Sequence, residues 1–325
     1  MGKKYDAPVS GSHPVITSAA TVTFHSYSLP AIYAVLAYLN GQFLPRSAAT
    51  LPVEDRGFVF GDGVYEVWRV VNGRLFETDR HLARLASGLG ELRITAPELA
   101  RRSVLEEVAE RLLSESNLLD GEATLYVEVT RGVAPRTHQF PPAGTTPTVF
   151  ATVNRFMPPN DVRARGAGAI TAPDVRWLRC DIKTIQLLPN VMVRQAAAER
   201  GAIEAIMIRD GVITEGSHTN VLGVLDGEIR THPLDNFVLP GITRAVVLEI
   251  AGALSIPVRE AAFTEQDIAR LDECFLAGTT TDVMPIVRVN DQPIGDGAPG
   301  PIAVRLFKEF RAFLDASCAS ASASR

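Results

Sequence analysis

Short apolar–polar alternations, punctuated by Asn-Gly and Asp-Gly pairs, dominate the hydropathy pattern of this chain. Asn40-Gly41, Asn72-Gly73, Asp210-Gly211 and Asp226-Gly227 each separate two β-rich runs. Such pairs supply the positive φ angles of two-residue hairpin turns. The pattern therefore predicts hairpins from Val35–Leu39 with Gln42–Leu44 and from Tyr65–Val71 with Arg74–Phe76. Two more are predicted from Ala205–Arg209 with Val212–Thr214 and from Val221–Leu225 with Glu228–Arg230. Further strands are expected at Ala123–Arg131 and Thr148–Val153. Leu105, Val108, Leu112 and Leu113 recur at helical spacing, which predicts a helix over about Pro97–Glu115. Helices are also expected at Arg80–Leu92, Leu188–Arg200, Thr243–Ala253, Glu265–Leu271 and Pro301–Leu314. Hairpins outnumber crossover patterns, so the fold class is α+β rather than a doubly wound parallel sheet.

Pro158-Pro159, flanked by Asn160 and Asp161, interrupts the pattern near the middle. This predicts a stiff linker over 155–161 between a small domain (34–154) and a larger one (162–315). Residues 1–33 show little periodicity and are expected to be a flexible extension; residues 316–325 are expected to be a frayed tail. No repeat of fixed period is present.

Composition narrows the class. The chain has 325 residues, 46% hydrophobic and 21% charged, with net charge -5. A core of good size is possible, and a broad basic field for nucleic acid is not expected. No run reaches the ~18 apolar residues of a membrane span. The three cysteines, Cys180, Cys274 and Cys318, are sparse and unpaired in spacing. They suggest a reducing compartment, the cytoplasm. The six histidines show no metal-ligand spacing, and no Gly-x-Ser-x-Gly nucleophile elbow is present.

Lys183 is the only lysine between Lys4 and Lys308 in a chain that otherwise uses arginine. An amine can attack a carbonyl and a guanidinium cannot, so Lys183 is a candidate for Schiff-base chemistry. Its neighbours Arg176, Arg179 and Asp181 and the apolar residues between them suit an activated amine. Biased codon usage leaving a surface lysine is the plainer alternative.

Other segments add chemistry, each with a plainer alternative. Glu54-Asp-Arg-Gly through Phe60-Gly-Asp-Gly-Val-Tyr65-Glu66 places a phenol at Tyr65 after a glycine-rich turn; a structural loop with a core tyrosine would look the same. Arg136 and His138, one residue apart, would point to one side of an extended segment and grip a carboxylate. A solvated loop cation beside a neutral histidine fits that spacing equally well. Glu215, ahead of Gly216-Ser-His-Thr-Asn220, would hold a proton on a heteroaromatic nitrogen, or cap a turn. Leu239-Pro-Gly-Ile242-Thr243 opens a helix whose free amides suit a phosphate. Gly278-Thr-Thr-Thr281 offers a second hydroxyl cluster. Either segment is also an ordinary helix start or strand end.

Taken together and in this order, these motifs resemble the fold type IV pyridoxal-phosphate aminotransferases, and within them the D-amino-acid transaminases. The resemblance spans about Val35 to Leu314 and includes Thr130-Arg-Gly, Pro135-Arg-Thr-His-Gln-Phe-Pro141 and Arg176-Trp-Leu-Arg-Cys-Asp-Ile-Lys183. It implies pyridoxal 5'-phosphate held by Lys183 as a Schiff base, Glu215 at the ring nitrogen and Arg176 at the ring 3-hydroxyl. It implies Arg84, Ile242, Thr243 and Thr280 at the phosphate and Leu239 under the ring. It places the substrate carboxylate among Tyr65, Arg136 and His138, the last two from a neighbouring subunit, and so implies a homodimer. The implied reaction is a two-stage amino transfer between D-amino acids and 2-oxo acids, Lys183 also moving the Cα proton. Branched-chain L-aminotransferases, aminodeoxychorismate lyases and non-catalytic cofactor binders are the competing readings. His218 departs from the small hydroxyl residue common at its position; Thr184, Gln186 and Pro189 also depart from the commonest pattern.

Overall fold

The computed structural model describes residues 35–319. The extension expected over 1–33 lies outside them, as does the end of the expected tail. The chain builds two sheets in succession. The first contains β1 (Leu36–Leu39), β2 (Gln42–Pro45), β3 (Gly63–Val71), β4 (Arg74–Leu75), β5 (Glu122–Thr130) and β6 (Thr148–Arg155). Its order is β2-β1-β6-β5-β3-β4 and every pairing is antiparallel. A five-residue helix α1 (Arg56–Phe60) precedes β3, and α2 (Thr78–Glu91) and α3 (Arg102–Glu115) cover one face.

Strand β5 shows why that face is chosen. Ala123, Leu125, Val127 and Val129 are buried while Thr124, Tyr126 and Glu128 alternate with them. The buried set meets Val64, Trp68 and Val70 of β3 and Leu85, Leu89, Leu105, Val108 and Leu112 of the helices. A strand of period two and a helix of period 3.6 thus present matching apolar stripes.

The second sheet follows α4 (Asn160–Arg165). It contains β7 (Ala167–Pro173), β8 (Glu204–Arg209), β9 (Val212–Gly216), β10 (Asn220–Leu225), β11 (Glu228–Thr231), β12 (Val258–Arg259), β13 (Glu273–Gly278), β14 (Asp282–Val289) and β15 (Gln292–Pro293). The order is β12-β11-β10-β13-β14-β7-β8-β9, with β15 on β14. Pairings of β7 with β8 and β14, and of β11 with β12, are parallel. Helices α5 (Leu188–Glu199), α6 (Ile242–Ala253) and α7 (Pro301–Ser317) complete the fold. Strand β10 is buried throughout. Leu222 and Val224 face a core with α6 and α7, whereas Val221 and Leu225 face one with Phe263 and Ile268.

Asn40, Asn72, Asp210 and Asp226 all take φ between 48° and 54°, followed by glycines at positive φ, as the hairpin turns require. Three elements differ from expectation. Residues 97–101 form a short 3-10 turn, and α3 starts only at Arg102, because Arg101 is extended (φ -84°, ψ 131°). Glu265–Arg270 is a 3-10 turn closed by a Thr264–Asp267 capping box. Helix α7 runs to Ser317 and Cys318 is buried against the core, so residues 316–318 are not tail.

The two sheets are locked together. Val71 and Phe76 enter the core of the second sheet, where the Phe76 and Phe310 rings meet edge to face at 5.9 Å. Arg69 of β3 donates to Glu122 at 2.7 Å and to the carbonyl of Thr279 at 3.1 Å, and lies 3.7 Å from Asp282. Arg163 and Arg311 close this buried cluster on Asp282 and Glu122.

Candidate active site

A cavity of about 650 Å³ opens between the two sheets. Tyr65 enters from β3, Arg84 from α2, Glu215 from the end of β9 and Thr279 from the end of β13. Lys183 enters from the segment ahead of α5. That segment is stitched to β3: the amide of Tyr65 donates to the carbonyl of Lys183 at 3.0 Å, and Val64 bridges Thr184. The pairing points Lys183 inward, and its Nζ lies 4.3 Å from the centroid of the Tyr65 ring. Tyr65 is itself stacked on Tyr126, with centroids 5.7 Å apart.

Glu215 forms the polar floor. One of its oxygens accepts from Arg176; the other accepts from the amide of Leu239 at 3.0 Å and from Asn220 Nδ2 at 3.2 Å. Burial pushes its carboxyl up to about 7, against the pull of the Arg176 guanidinium. Arg176 also makes a two-pronged contact with Asp174, at 2.9 and 2.8 Å, and donates to the carbonyl of Phe237 at 3.1 Å. Burial raises the Asp174 carboxyl, but Arg176, Arg209 and Thr214 hold it down at about 2. The sequence reading sends Arg176 to a ring hydroxyl. In the structure its guanidinium also meets Asp174 and Glu215, and so orients Glu215.

In the same wall, α6 begins at Ile242 with no side-chain cap. The first main-chain bond of the helix runs from Ala245 to the carbonyl of Gly241, which leaves the Ile242 and Thr243 amides free for an anion. A Cβ at Gly241 would sit 1.9 Å from Asn220 Oδ1, so only glycine allows this approach. Arg84 stands beside the helix start. It makes a two-pronged contact with Glu66, at 2.9 and 2.8 Å, and donates to the carbonyl of Pro240 at 2.9 Å. Burial alone would raise the Glu66 carboxyl, but Arg84 and His81 beside it hold it well below the usual carboxylate range.

The cavity therefore gathers free amides and a cation, a carboxylate and a primary amine in one lining. This donor set fits a phosphorylated pyridine aldehyde. Leu239, Ile242 and Thr243 all line it. Of the hydroxyl cluster after β13, Thr279 lines the cavity; Thr280, expected there, is half-buried and does not.

Arg136 and His138 are also outside this lining. Both are exposed and flank the ring of Phe60, at 5.4 Å and 5.8 Å. Residues unmarked in the sequence now stand out. Asp174, two positions before Arg176, was legible only as an Asp-x-Arg pair. Glu66 and His81 anchor Arg84 from a strand and a helix 15 residues apart in sequence. Glu204 of β8 binds the turn after Glu215 through Ser217, His218 and Thr219.

Residues 63–289 match the amino-transferase class IV family. A D-alanine aminotransferase of Bacillus licheniformis is 44% identical over 265 residues, covering 81% of this chain and 91% of that protein. One from Staphylococcus haemolyticus is 36% identical over 278 residues, covering 86% and 97%. Among solved structures, a branched-chain amino acid aminotransferase of Escherichia coli superposes with TM-score 0.79 at 23% identity, covering 89% of this chain and 98% of that one. That likeness concerns the fold. A T.th. branched-chain amino acid aminotransferase, complexed with N-(5'-phosphopyridoxyl)-L-glutamate, gives 0.76 at 26% identity, covering 88% and 95%.

Proposed function

Because this chain belongs to the class IV aminotransferases, whose cofactor is pyridoxal 5'-phosphate, we propose that it exchanges amino groups between D-amino acids and 2-oxo acids. The observation that carries the reading is the convergence of Lys183, Glu215 and the uncapped start of α6 in one cavity.

When bound, the cofactor supplies an aldehyde carbon and a ring that withdraws electrons from the substrate Cα. The protein supplies the rest. Lys183 would hold the aldehyde carbon, and its Nζ would move the substrate Cα proton. Glu215 would keep a proton on the ring nitrogen, its orientation fixed by Asp174 and Arg176. Arg84 and the amides of Ile242 and Thr243 would hold the phosphate, and Leu239 would support the ring. Thr280 contributes a hydroxyl only if its loop turns inward; Thr279 is better placed. Tyr65 presents its phenol to the substrate carboxylate. Two such half-reactions, the second with a 2-oxo acid such as 2-oxoglutarate or pyruvate, complete the cycle.

The D-handed reading rests on the curated relatives at 36–44% identity, against 23–26% for the branched-chain structures. We further infer a homodimer. Phe58, Leu188, Val191 and Met192 are 59–76% exposed, and Phe58 and Leu188 line the cavity itself. Such an apolar rim suits a second copy, which would bring its own Arg136 and His138 over the carboxylate end. Among the described residues no helix is long and apolar enough to cross a membrane. The free, buried thiols of Cys180, Cys274 and Cys318 suit a reducing compartment, and we place the enzyme in the cytoplasm.

Purified protein given D- or L-alanine with 2-oxoglutarate tests the function. Pyruvate formed from D-alanine alone supports it; turnover of branched-chain L-amino acids alone overturns it. Pyruvate release from aminodeoxychorismate would mark a lyase. A cofactor absorbance band that no amino donor alters would mark a binding-only protein.

A further inference from the structure

The turn that joins β9 to β10 is built around a buried carboxylate. Glu204 is fully buried. It accepts from the amides of Ala205 and Ser217 at 2.8 and 2.9 Å, from Thr219 Oγ1 at 2.8 Å and from the Ser217 hydroxyl. His218 Nδ1 lies 3.1 Å from its Oε2. Burial works against the charge of Glu204, yet His218 and Ser217 hold its carboxyl down at about 2. A buried anion with this many donors fixes the turn rigidly.

His218 is the one member of the turn that is both ionisable and open. Its side chain is 48% exposed and it lines the same cavity as Lys183. The two ring nitrogens lie on opposite sides of the imidazole. Nδ1 is held by Glu204 and lies 3.2 Å from Ser217 Oγ. Among the described residues nothing bonds Nε2. The ring is thus backed by an anion and presents its second nitrogen away from it, where a second anion would complete an alternating row of charges. The other cations of the cavity wall are assigned elsewhere, Arg84, braced by Glu66, to the phosphate end and Arg176 to Asp174 and Glu215. Lys183 is reserved for the amino transfer.

We propose that His218 Nε2 binds the side-chain carboxylate of a dicarboxylic substrate, so that the cavity selects acidic D-amino acids and 2-oxo diacids over small apolar ones. This rests on the transaminase reading and names the substrate class of that site. Nothing covalent is involved: with both ring nitrogens protonated, Nε2–H donates to a carboxylate oxygen while Nδ1–H donates to Glu204.

The test uses the holoenzyme and its His218→Ser, His218→Gln and His218→Arg variants. One arm measures kcat/KM for D-glutamate and D-alanine; the other titrates glutarate and butyrate by calorimetry, without turnover. Loss of one charge-assisted hydrogen bond is expected to lower the D-glutamate to D-alanine ratio about tenfold in the Ser and Gln variants. The glutarate Kd should rise by a like factor while that of butyrate holds, and Arg should restore both. An unchanged ratio and an unchanged glutarate Kd overturn the proposal. Should the wild type use neither D-amino acid, the transaminase reading fails by itself, and the glutarate titration still decides the role of His218.

Discussion

Lys183 and Tyr65 are joined twice, through a 3.0 Å main-chain hydrogen bond and through the placement of Nζ 4.3 Å over the Tyr65 ring. The strand that carries the phenol therefore also sets the height and direction of the amine. Replacing Lys183 with alanine leaves that main-chain bond intact. The variant is expected to fold with the wild-type melting temperature and to lose steady turnover by about 10³-fold or more, because nothing else in the cavity can hold the aldehyde and move the Cα proton. Steady-state assay beside a melting curve checks this. Near-normal activity in the variant would remove Lys183 from the reaction.

Arg136 and His138 stand outside the cavity of their own chain. If a second copy carries them to the neighbouring site, Arg136→Ala raises KM for D-amino acids about tenfold or more, with cofactor content unchanged. A mixing experiment sharpens the point. Lys183→Ala and Arg136→Ala chains refolded together form hybrids in which one of two sites has both residues intact. Random twofold pairing should then restore roughly a quarter of wild-type activity at low substrate. Absence of recovery in verified hybrids would return Arg136 to its own subunit or to no role.

Glu215 makes a signed prediction about pH. Burial raises its folded-state pKa from 4.5 to about 7. Between those values the folded, cofactor-free protein keeps a proton that the unfolded chain has released. Stability must therefore fall as pH rises from about 4.5 to about 7 and level off above, relative to Glu215→Gln, which has no such proton. Urea midpoints across that range, compared between the two proteins, measure it. A difference that grows in the opposite direction would mean that Arg176 outweighs burial and keeps Glu215 ionised. In the holoenzyme the same substitution should lower kcat by about 10²-fold, since an amide cannot hold the ring nitrogen protonated.

What the sequence disclosed follows the range over which each signal acts. The four hairpins were legible because the Asn-Gly and Asp-Gly turns are local chemistry, fixed by φ alone. Strand β5 and helix α3 were legible because each buries one face, which writes a period into the chain. Strands β7 and β14 were not. β7 reads Ala-Gly-Ala-Ile-Thr-Ala-Pro with little β propensity, and β14 carries Pro285 in its interior, paired with Phe275. Their parallel pairing is long-range and leaves no turn signal. At the site, Lys183, Glu215 and the α6 start were visible as motifs. The partners that orient them were not, because Glu66, His81, Asp174 and Glu204 are buried acids and a histidine whose value lies in what they touch. The same holds for Thr279 over Thr280: a one-residue choice in a three-threonine run depends on how the loop leaves β13.

That loop is governed from the other sheet. Arg69 of β3 donates to the carbonyl of Thr279 at 3.1 Å while bonding Glu122 at 2.7 Å and lying 3.7 Å from Asp282. Its side chain is almost fully buried, and so is that of Asp282. Burial, with the nearby Glu122 carboxylate, raises the Asp282 carboxyl despite Arg69, Arg163 and Arg311 around it. Arg69→Met would withdraw a positive charge from between two acids and release the Thr279 carbonyl at the cavity wall. Breaking a buried pair costs up to about 3–5 kcal/mol where a carboxylate is left bare; Arg163 and Arg311 still meet Asp282 and Glu122, so a smaller loss is expected. The urea midpoint should fall accordingly. The affinity of the apoenzyme for pyridoxal phosphate should also drop roughly tenfold, since Thr279 lines the cavity that must hold it. Adding Glu122→Gln to Arg69→Met removes one of the orphaned charges and should recover part of the stability but not the cofactor affinity. Recovery of both together would show that Arg69 acts on the cofactor only through global stability, and an unmoved midpoint in the single variant would show that Arg163 and Arg311 suffice to hold the cluster.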